Sequence, residues 1–277
     1  MTGVTDGCTG ATTAHTDVLP SLANACEAAE SAEKGSLMGV PKRSLLTPIQ
    51  EHIERAIQDV LASLPDPDRL SADERRGIIA RYAAVLEGNF IYWMTAAYLS
   101  VESKEAHAII QDNLLEEVRD NHPGMLRRFA LAADAVPTDS DALAVYRNLE
   151  SVRLFVGQLS AVEIVVMMAF FEGFITRFMP YLADLAGRRG SAERQYTDVH
   201  GVCDVVHTQE LFRALEAEMV LAQDPPELAR LLTGVELLRT LLQSVIHPRL
   251  ATAAQHIVFE AAAADSLFIQ GAEPTAA

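Results

Sequence analysis

Apolar residues recur every three to four positions along most of the chain, which is the period of an amphipathic α-helix. No segment shows the strict apolar–polar alternation that is typical of a half-buried strand. Prolines, glycines and capping residues divide the pattern into predicted helices at residues 47–64, 71–100, 104–120, 122–135, 140–156, 161–186, 191–222 and 226–267, the last kinked at Pro248. We therefore predict an all-α, single-domain bundle of seven to nine helices.

Two of these segments are apolar on nearly every side rather than along one stripe. They are Tyr82–Tyr98 and Ala161–Ala186. A helix that is apolar all round belongs in the middle of a bundle, so we expect both segments there. Ser71 and Glu74 have the spacing of a capping box, which predicts the start of the helix that contains the first segment.

The composition narrows the possible partners and the compartment. The 277 residues carry a formal net charge of −16, which disfavours nucleic acids and anionic membrane surfaces as partners. The longest apolar run, Ile164–Phe171, is far shorter than the ~20 residues of a membrane span. The three cysteines, Cys8, Cys26 and Cys203, form no disulfide framework, and the first residues show no signal peptide. We expect a cytoplasmic protein.

Residues 1–43 differ from the rest of the chain. They are rich in Thr, Ala, Ser and Gly and show no sustained period. A segment of this composition buries too little apolar surface to offset the entropy lost on ordering. We predict a disordered extension over residues 1–43 and a helical domain over residues 44–270.

The segment YTDVHGVCDVVH contains the most specific set of possible metal ligands. His200, Asp204 and His207 are spaced i, i+4 and i+7, so a helix places them on one face within two turns. Two imidazoles and a carboxylate suit iron, manganese or zinc. The four valines of the same segment indicate that the helix is at least half buried. Taken alone, the pattern also fits a surface helix with two histidines and an ordinary aspartate.

Glu172 is a second candidate because of its apolar surroundings. It follows the run Ile164–Phe171 and precedes the residues GFI. An ionised carboxylate in such a place is costly unless it is paired or bound to a metal. Arg177 lies about 140° further round an ideal helix, which makes it an imperfect partner. The position predicts either a metal ligand or a carboxylate paired with an arginine of another helix.

Two other helices carry further candidates. In NLLEE, Glu116 and Glu117 point about 100° apart, so at most one should face inward; we favour Glu117, with Glu116 as the alternative. His122 is either a ligand or a helix-start residue. Burial of Glu87 in the apolar second helix would be offset by a metal or by an arginine such as Arg81. Glutamates and histidines on several helices are the usual ligands of a dimetal site in a bundle, although the Glu-x-x-His pairs of ferritin-like proteins are absent from this sequence.

The order of these motifs resembles that of the haem-oxygenase-like diiron oxidases, which share a helical scaffold with thiaminase-like and pyrroloquinoline-quinone-forming enzymes. The similarity covers about residues 75–222, and its most specific part is the His-x-x-x-Asp-x-x-His spacing in HGVCDVVH. The resemblance implies a haem-oxygenase-like fold. It also implies the metal ligands Glu87, Glu117, His122, Glu172, His200, Asp204 and His207.

The same resemblance implies two iron ions as cofactor and O2 as co-substrate. It predicts an oxidoreductase of secondary metabolite biosynthesis that acts on a small, often amino-acid-derived substrate by N-oxygenation, desaturation, C–C cleavage or ring formation. Because the sequence has no flavin or nicotinamide motif, we expect an external electron donor. A homodimer would suit a bundle with spare apolar surface.

We expect the substrate pocket beside the metals. Trp93 and Phe171 are candidates for its wall, with core packing as their alternative role. Arg177 or Arg81 is a candidate for binding a substrate carboxylate, with a surface position or an ion pair as the alternative.

Two rival hypotheses use the same residues differently. In the first, the scaffold is metal-free, and the chain is a thiaminase-like enzyme or a small-molecule-binding protein with Cys203 as its only core nucleophile. In the second, the chain is a helical regulatory protein whose histidines and glutamates only pair with each other. The full ligand inventory favours the diiron hypothesis.

Overall fold

The computed structural model of this chain describes residues 45–222 and 227–248. All of them fall within one compact unit, Val40–Ala277. These residues form ten α-helices and no strand, and nine of the helices have 11 residues or more. The helices are α1 (Leu46–Ala62), α2 (Ala72–Leu86), α3 (Asn89–Ser100), α4 (Lys104–Arg119), α5 (His122–Ala132), α6 (Asp139–Val156), α7 (Ala161–Gly187), α8 (Gln195–Leu221), α9 (Leu228–Leu231) and α10 (Thr233–Ile246).

The all-α prediction is confirmed. The predicted extension over residues 1–43, the domain end at residue 270 and the predicted helix beyond residue 248 lie outside the described residues. Within them, the capping box at the start of α2 is formed as predicted. The Ser71 hydroxyl oxygen accepts the N–H of Glu74 at 3.2 Å, and the Glu74 carboxylate accepts the N–H of Ser71 at 2.8 Å.

The predicted helix over residues 71–100 is wrong in one respect, because the structure divides it into α2 and α3. Gly88 separates them with φ +76°, a left-handed conformation that costs glycine little. The Asn89 side-chain amide donates to the Val85 carbonyl at 2.7 Å and so satisfies one carbonyl at the end of α2. Glu87, the residue before Gly88, therefore leaves the helical path on which the hydrophobic pattern placed it.

Helix α7 lies at the centre of the bundle. Its 27 residues pack against α8, α10, α1, α3 and α2. Every residue from Ile164 to Ile175 is buried, as predicted from its all-round apolar pattern. Full burial of each large apolar side chain contributes about 1.5–3 kcal/mol to the hydrophobic stabilisation of the fold. Glu172 thus lies in the most enclosed part of the described structure.

Helix α8 carries the buried polar residues His200, Asp204 and His207. It packs along α7 and also contacts α4 and α5. Four helices, α4, α5, α7 and α8, therefore bring their side chains to one region. In the part of the chain that the structure describes, no helix is long and apolar enough to cross a membrane.

Candidate metal centre

In the first half of helix α8, the three candidate ligands are buried and several valines are exposed. His200, Asp204 and His207 are only 4%, 1% and 6% exposed. Val202 and Val206, in contrast, are 74% and 55% exposed. The predicted burial of this helix is found, but the valines do not cause it. The face that points into the bundle is the one that carries the histidines and the aspartate.

One group of potential ligands consists of Glu117, His122 and His200. The Glu117 oxygen Oε1 lies 2.6 Å from His122 Nδ1 and 3.7 Å from His200 Nε2. His200 Nδ1 lies 2.8 Å from the backbone carbonyl of Tyr196. Because a carbonyl can only accept, Nδ1 carries a proton, which leaves Nε2 as the nitrogen able to bind a cation beside Glu117. The three side chains can supply one oxygen and two nitrogens to a single ion.

A tight turn brings His122 back to Glu117 only five residues later in the chain. Asn121, between α4 and α5, has φ +56° and ψ +48°, and its side chain accepts the N–H of Gly124 at 3.2 Å. Asparagine tolerates this left-handed conformation better than most residues. His122 is therefore the first residue of α5, and it is 2% exposed.

A second group consists of Asp204 and His207 with Cys203 and Glu116 beside them. Asp204 Oδ1 lies 3.7 Å from His207 Nδ1 and 3.1 Å from Cys203 Sγ. Glu116 Oε2 lies 3.4 Å from His207 Nε2. Of the two adjacent glutamates, only Glu117, the one that we favoured, is buried. Glu117 reaches the cluster from the interior, and Glu116, with a side chain that is 34% exposed, reaches it from the rim.

Glu172 of α7 lies next to the second group. Its Oε2 is 3.9 Å from His207 Nδ1. Burial raises the pKa of Glu172 well above its ordinary value, and the negative charges of Asp204, Glu117 and Glu116 raise it further. The negative charges that act on Glu172 thus come from carboxylates of both groups.

Burial and the neighbouring charged groups also shift the pKa values of Asp204, Glu117 and His200. Burial raises the pKa of Asp204, and the nearby histidines offset only part of that shift. Burial alone would raise the pKa of Glu117, but hydrogen bonds from His122 and His200 lower it below its ordinary value. Burial alone would lower the pKa of His200, but Glu117 and Asp204 raise it. Burial and the neighbouring negative charges thus oppose ionisation of Glu172, and a bound cation would favour its ionised form.

The cluster holds more buried negative charge than its protein partners offset. Within residues 45–222 and 227–248, no arginine or lysine lies within ion-pair distance of Glu117, Glu172 or Asp204, whose ion-pair partners are all histidines. Asp204 Oδ2 is buried without a hydrogen-bond partner. A divalent cation would supply the missing positive charge and occupy the orphaned oxygen. The oxygen and nitrogen donors suit iron, so the residues fit the predicted metal.

The structure does not bring Glu87 into this cluster. Its side chain is 51% exposed and lies 2.8 Å from Arg127 Nη2. The cause is the break at Gly88, which turns Glu87 away from the bundle interior. We therefore leave Glu87 out of the ligand set that we propose below.

Neither predicted arginine lies at the cluster. Arg177 forms two short contacts, 2.6 Å and 2.7 Å, with the carboxylate of Glu54. Arg81 is buried, donates to the Val245 carbonyl at 2.7 Å and lines a separate cavity of about 410 Å³. The structure thus gives Arg177 the ion pair that was its alternative role, and gives Arg81 a backbone contact.

The predicted pocket aromatics belong to the core. Trp93 and Phe171 are both 0% exposed and pack edge to face with ring centroids 5.4 Å apart. A small cavity of about 20 Å³ does border the first ligand group. Its wall consists of Leu86, Phe90, Ile91, Pro123, Leu126, Ile175 and Tyr196, together with Glu117, His122 and His200.

A buried pair of tyrosines supports the first ligand group and was missed in the sequence. The hydroxyls of Tyr82 and Tyr196 lie 3.0 Å apart, and burial raises the pKa of each tyrosine. The Tyr196 ring lies 4.3 Å from the His200 ring, centroid to centroid. Tyr196 stands four residues before His200, a spacing that could have indicated its role. Nothing in the local sequence marks Tyr82.

An all-α bundle with a buried cluster of carboxylates and histidines is suited to hold iron or another divalent metal. The family described as iron-containing redox enzymes matches residues 79–243, which is more than half of the chain. The chain therefore belongs to that family, and its resemblance to haem-oxygenase-like proteins is confirmed. The matched span includes both ligand groups, and the family identifies an iron-dependent oxidoreductase. No curated protein shows a significant match to the chain.

Proposed function

We propose that this chain is an O2-dependent oxidoreductase that binds two iron ions and oxidises a small, amino-acid-derived metabolite. The observation that carries this proposal is the division of the buried ligands into two adjacent groups, and we propose that Glu172 bridges them. One group contains Glu117, His122 and His200, and the other contains Glu116, Asp204 and His207. A bridging carboxylate between two nitrogen- and oxygen-rich positions is typical of dimetal sites in helical bundles.

Two ferrous ions in these positions would supply electrons and open coordination sites for the reduction of O2. The protein side chains set the charge and the order of the site. The Tyr196 carbonyl holds the ring of His200 in one orientation through Nδ1. Phe90, Leu126 and Ile175, which are buried and line the cavity beside His200, keep bulk water away from the first ligand group.

The cavity beside Glu117, His122 and His200 supports a small substrate with an apolar reacting part. Its wall is mostly apolar, and its volume of about 20 Å³ is close to that of a single water site. Substrate binding therefore requires side chains to move. Leu86 and Phe90 lie on either side of Gly88, where α2 ends and α3 begins and the backbone leaves the helical path with φ +76°. We propose that this junction adjusts to admit the substrate.

The electrons that the two irons do not supply must come from the substrate or from an external donor. Our proposal includes an external donor because the chain has no recognisable flavin or nicotinamide motif.

The rival role of Cys203 as a nucleophile is disfavoured by its surroundings. Burial raises the pKa of the Cys203 thiol, and the carboxylates of Asp204 and Glu172 raise it further. Nucleophilic cysteines need the opposite shift, because the thiolate is the reactive form. The thiol also donates to Asp204 at 3.1 Å instead of to a histidine base.

An anaerobic Fe(II) titration tests the proposal. The parent protein should bind two irons per chain, and the His200→Ala variant should bind one or none because one position loses a nitrogen ligand. The His52→Ala variant is the matched control. His52 of α1 pairs with Glu236 of α10 and lies outside both ligand groups. It should bind two irons.

Oxygen uptake by the iron-loaded proteins then tests the redox role. In the presence of a reductant, the parent and the His52→Ala variant should consume O2 and the His200→Ala variant should not. Iron binding at one ion per chain would contradict the diiron assignment but leave an iron enzyme. No stoichiometric iron in the parent would contradict the proposal as a whole.

A further inference from the structure

We propose that Cys203 supplies a thiolate ligand to the metal position formed by Asp204 and His207, and thereby gives that position a preference for softer divalent ions. This inference rests on the two-metal centre proposed above. It adds a sulfur donor to Asp204 and His207 of the same helix.

The position of Cys203 on α8 places its side chain beside those of His200, Asp204 and His207. It is three residues after His200 and four residues before His207, and both spacings put side chains on one face of a helix. Its side chain is half-buried at the rim of the cluster. Among the residues that the structure describes, it is the only cysteine.

The distances fit one shared ion. Cys203 Sγ lies 3.1 Å from Asp204 Oδ1, which lies 3.7 Å from His207 Nδ1. One donor atom from each of the three residues lies within 4.8 Å of the others. Because metal–sulfur bonds are about 2.3 Å and metal–nitrogen or metal–oxygen bonds about 2.0–2.2 Å, two ligands of one ion can be up to ~4.5 Å apart. Small side-chain adjustments suffice to close the group on an ion.

A second observation points to a ligand at the same place. Asp204 is 1% exposed, and its Oδ2 is buried with no hydrogen-bond partner, while Oδ1 receives the thiol of Cys203. An unpaired buried carboxylate oxygen is costly. A cation held between Asp204, His207 and Cys203 would satisfy that oxygen and replace the thiol proton as the positive neighbour of the carboxylate.

Binding converts the thiol into a thiolate. The sulfur–metal bond forms, the S–H bond breaks, and the proton passes to solvent. Thiolate ligands favour softer ions such as Zn²⁺ and Co²⁺ over Mn²⁺, which prefers oxygen donors.

An anaerobic Co²⁺ titration followed by absorption spectroscopy tests the inference. The parent for this experiment is the full-length chain with Cys8→Ser and Cys26→Ser, so that Cys203 is the one remaining thiol. We expect two cobalt ions per chain, visible d–d bands for both, and a near-ultraviolet sulfur-to-cobalt band that saturates with one of them.

Cys203→Ser in the same background is the decisive variant. It should lose the sulfur-to-cobalt band and keep the visible bands. Its affinity for one of the two ions should fall by about 10- to 100-fold, the range seen when groups that support metal ligands are removed. Val205→Ala, at an exposed position of the same helix, is the matched control and should match the parent.

X-ray absorption of the zinc-loaded parent gives a test that needs no variant at Cys203. A sulfur neighbour at about 2.3 Å is expected. Two bound ions with no sulfur band and no sulfur neighbour would overturn the thiolate ligand and leave the dimetal centre standing. No bound ion in the parent would overturn both proposals.

Discussion

Buried carboxylates have two kinds of surroundings in this bundle. Those of the first kind have a dedicated partner from another helix. Asp141 lies 2.8 Å from Arg76 Nη2, and Glu163 lies 2.8 Å from Arg230 Nε. Glu218 accepts the backbone N–H groups of residues 102 and 103 at 3.0 Å and 2.7 Å, just where helix α4 begins. Each of these acids stabilises a contact between two elements of the fold.

Carboxylates of the second kind have no such partner. Within the described residues, the ion pairs of Glu117, Glu172 and Asp204 are all with histidines, and the pKa of Glu172 is raised by burial and by the neighbouring carboxylates. Burial by itself therefore does not distinguish a structural acid from a metal ligand. The distinguishing feature is the missing arginine or backbone donor, which leaves the negative charge to be balanced by something from outside the chain.

The two kinds of carboxylate should differ most in iron binding and O2 consumption when each is replaced by its uncharged amide. Asp204→Asn should bind at most one iron and lower the rate of O2 consumption by at least about 100-fold, because it removes an anionic ligand. Asp141→Asn, also buried but paired with Arg76, should bind two irons. The measurement is anaerobic iron titration followed by oxygen uptake. Full iron binding and turnover by the Asp204→Asn variant would remove Asp204 from the site.

Glu172→Gln should make the metal-free protein more stable. The folded-state pKa of Glu172 lies above its unfolded value of 4.5, so its contribution to stability is fully present below pH 4.5 and is lost as the pH rises through the folded pKa. Glutamine has no proton to lose. The variant should therefore gain on the order of 1–3 kcal/mol in unfolding free energy at pH 7, and this gain should disappear in acid.

Urea unfolding of the chelator-treated proteins between pH 4 and pH 8 checks this prediction. Addition of Fe²⁺ should reverse the order, since the ligand stabilises the protein that binds it more tightly. A metal-free Glu172→Gln protein that is less stable than the parent at pH 7 would show that the carboxylate has a protein partner after all.

The Arg76→Ala variant tests a carboxylate of the first kind by removing its arginine partner. It leaves Asp141 buried without its arginine, so we expect the unfolding free energy to fall by about 2–3 kcal/mol, somewhat less than for a fully buried pair because Arg76 is 27% exposed. Iron binding should be unchanged. Arg55→Ala is the control, since its 3.9 Å contact with Glu51 is exposed and is worth at most about 0.5 kcal/mol. Equal unfolding midpoints for both variants would contradict the distinction.

The smallest effect is expected at Glu87. Its contact with Arg127 is exposed, so Glu87→Gln should change stability by no more than about 0.5 kcal/mol and leave two irons per chain. Equilibrium unfolding and iron titration measure both quantities. A loss of iron in this variant would return Glu87 to the ligand set and imply that the junction at Gly88 rearranges when metal binds.

Local periodicity allowed much of this protein to be predicted from its sequence. The spacing of His200, Asp204 and His207 depends only on the geometry of one helix, and these residues do share a buried face. The burial of Glu172 followed from its apolar neighbours along α7 in the same way. The all-α class and the start of α2 at Ser71 were also predictable, because both depend on short-range patterns.

Only the tertiary structure decided which charged residues meet. Arg177 pairs with Glu54, 123 positions away, and Arg127 with Glu87, 40 positions away. No local pattern encodes such pairs, because they depend on the packing of helices that are distant in sequence. For the same reason, the sequence could not predict that Glu117 contacts His200 while Glu116 contacts His207. Nor could it predict the contact of Tyr82 with Tyr196. The sequence by itself determined which residues could bind a metal. The packing of α4, α5, α7 and α8 decided which of them face one another without an arginine or lysine partner among the described residues.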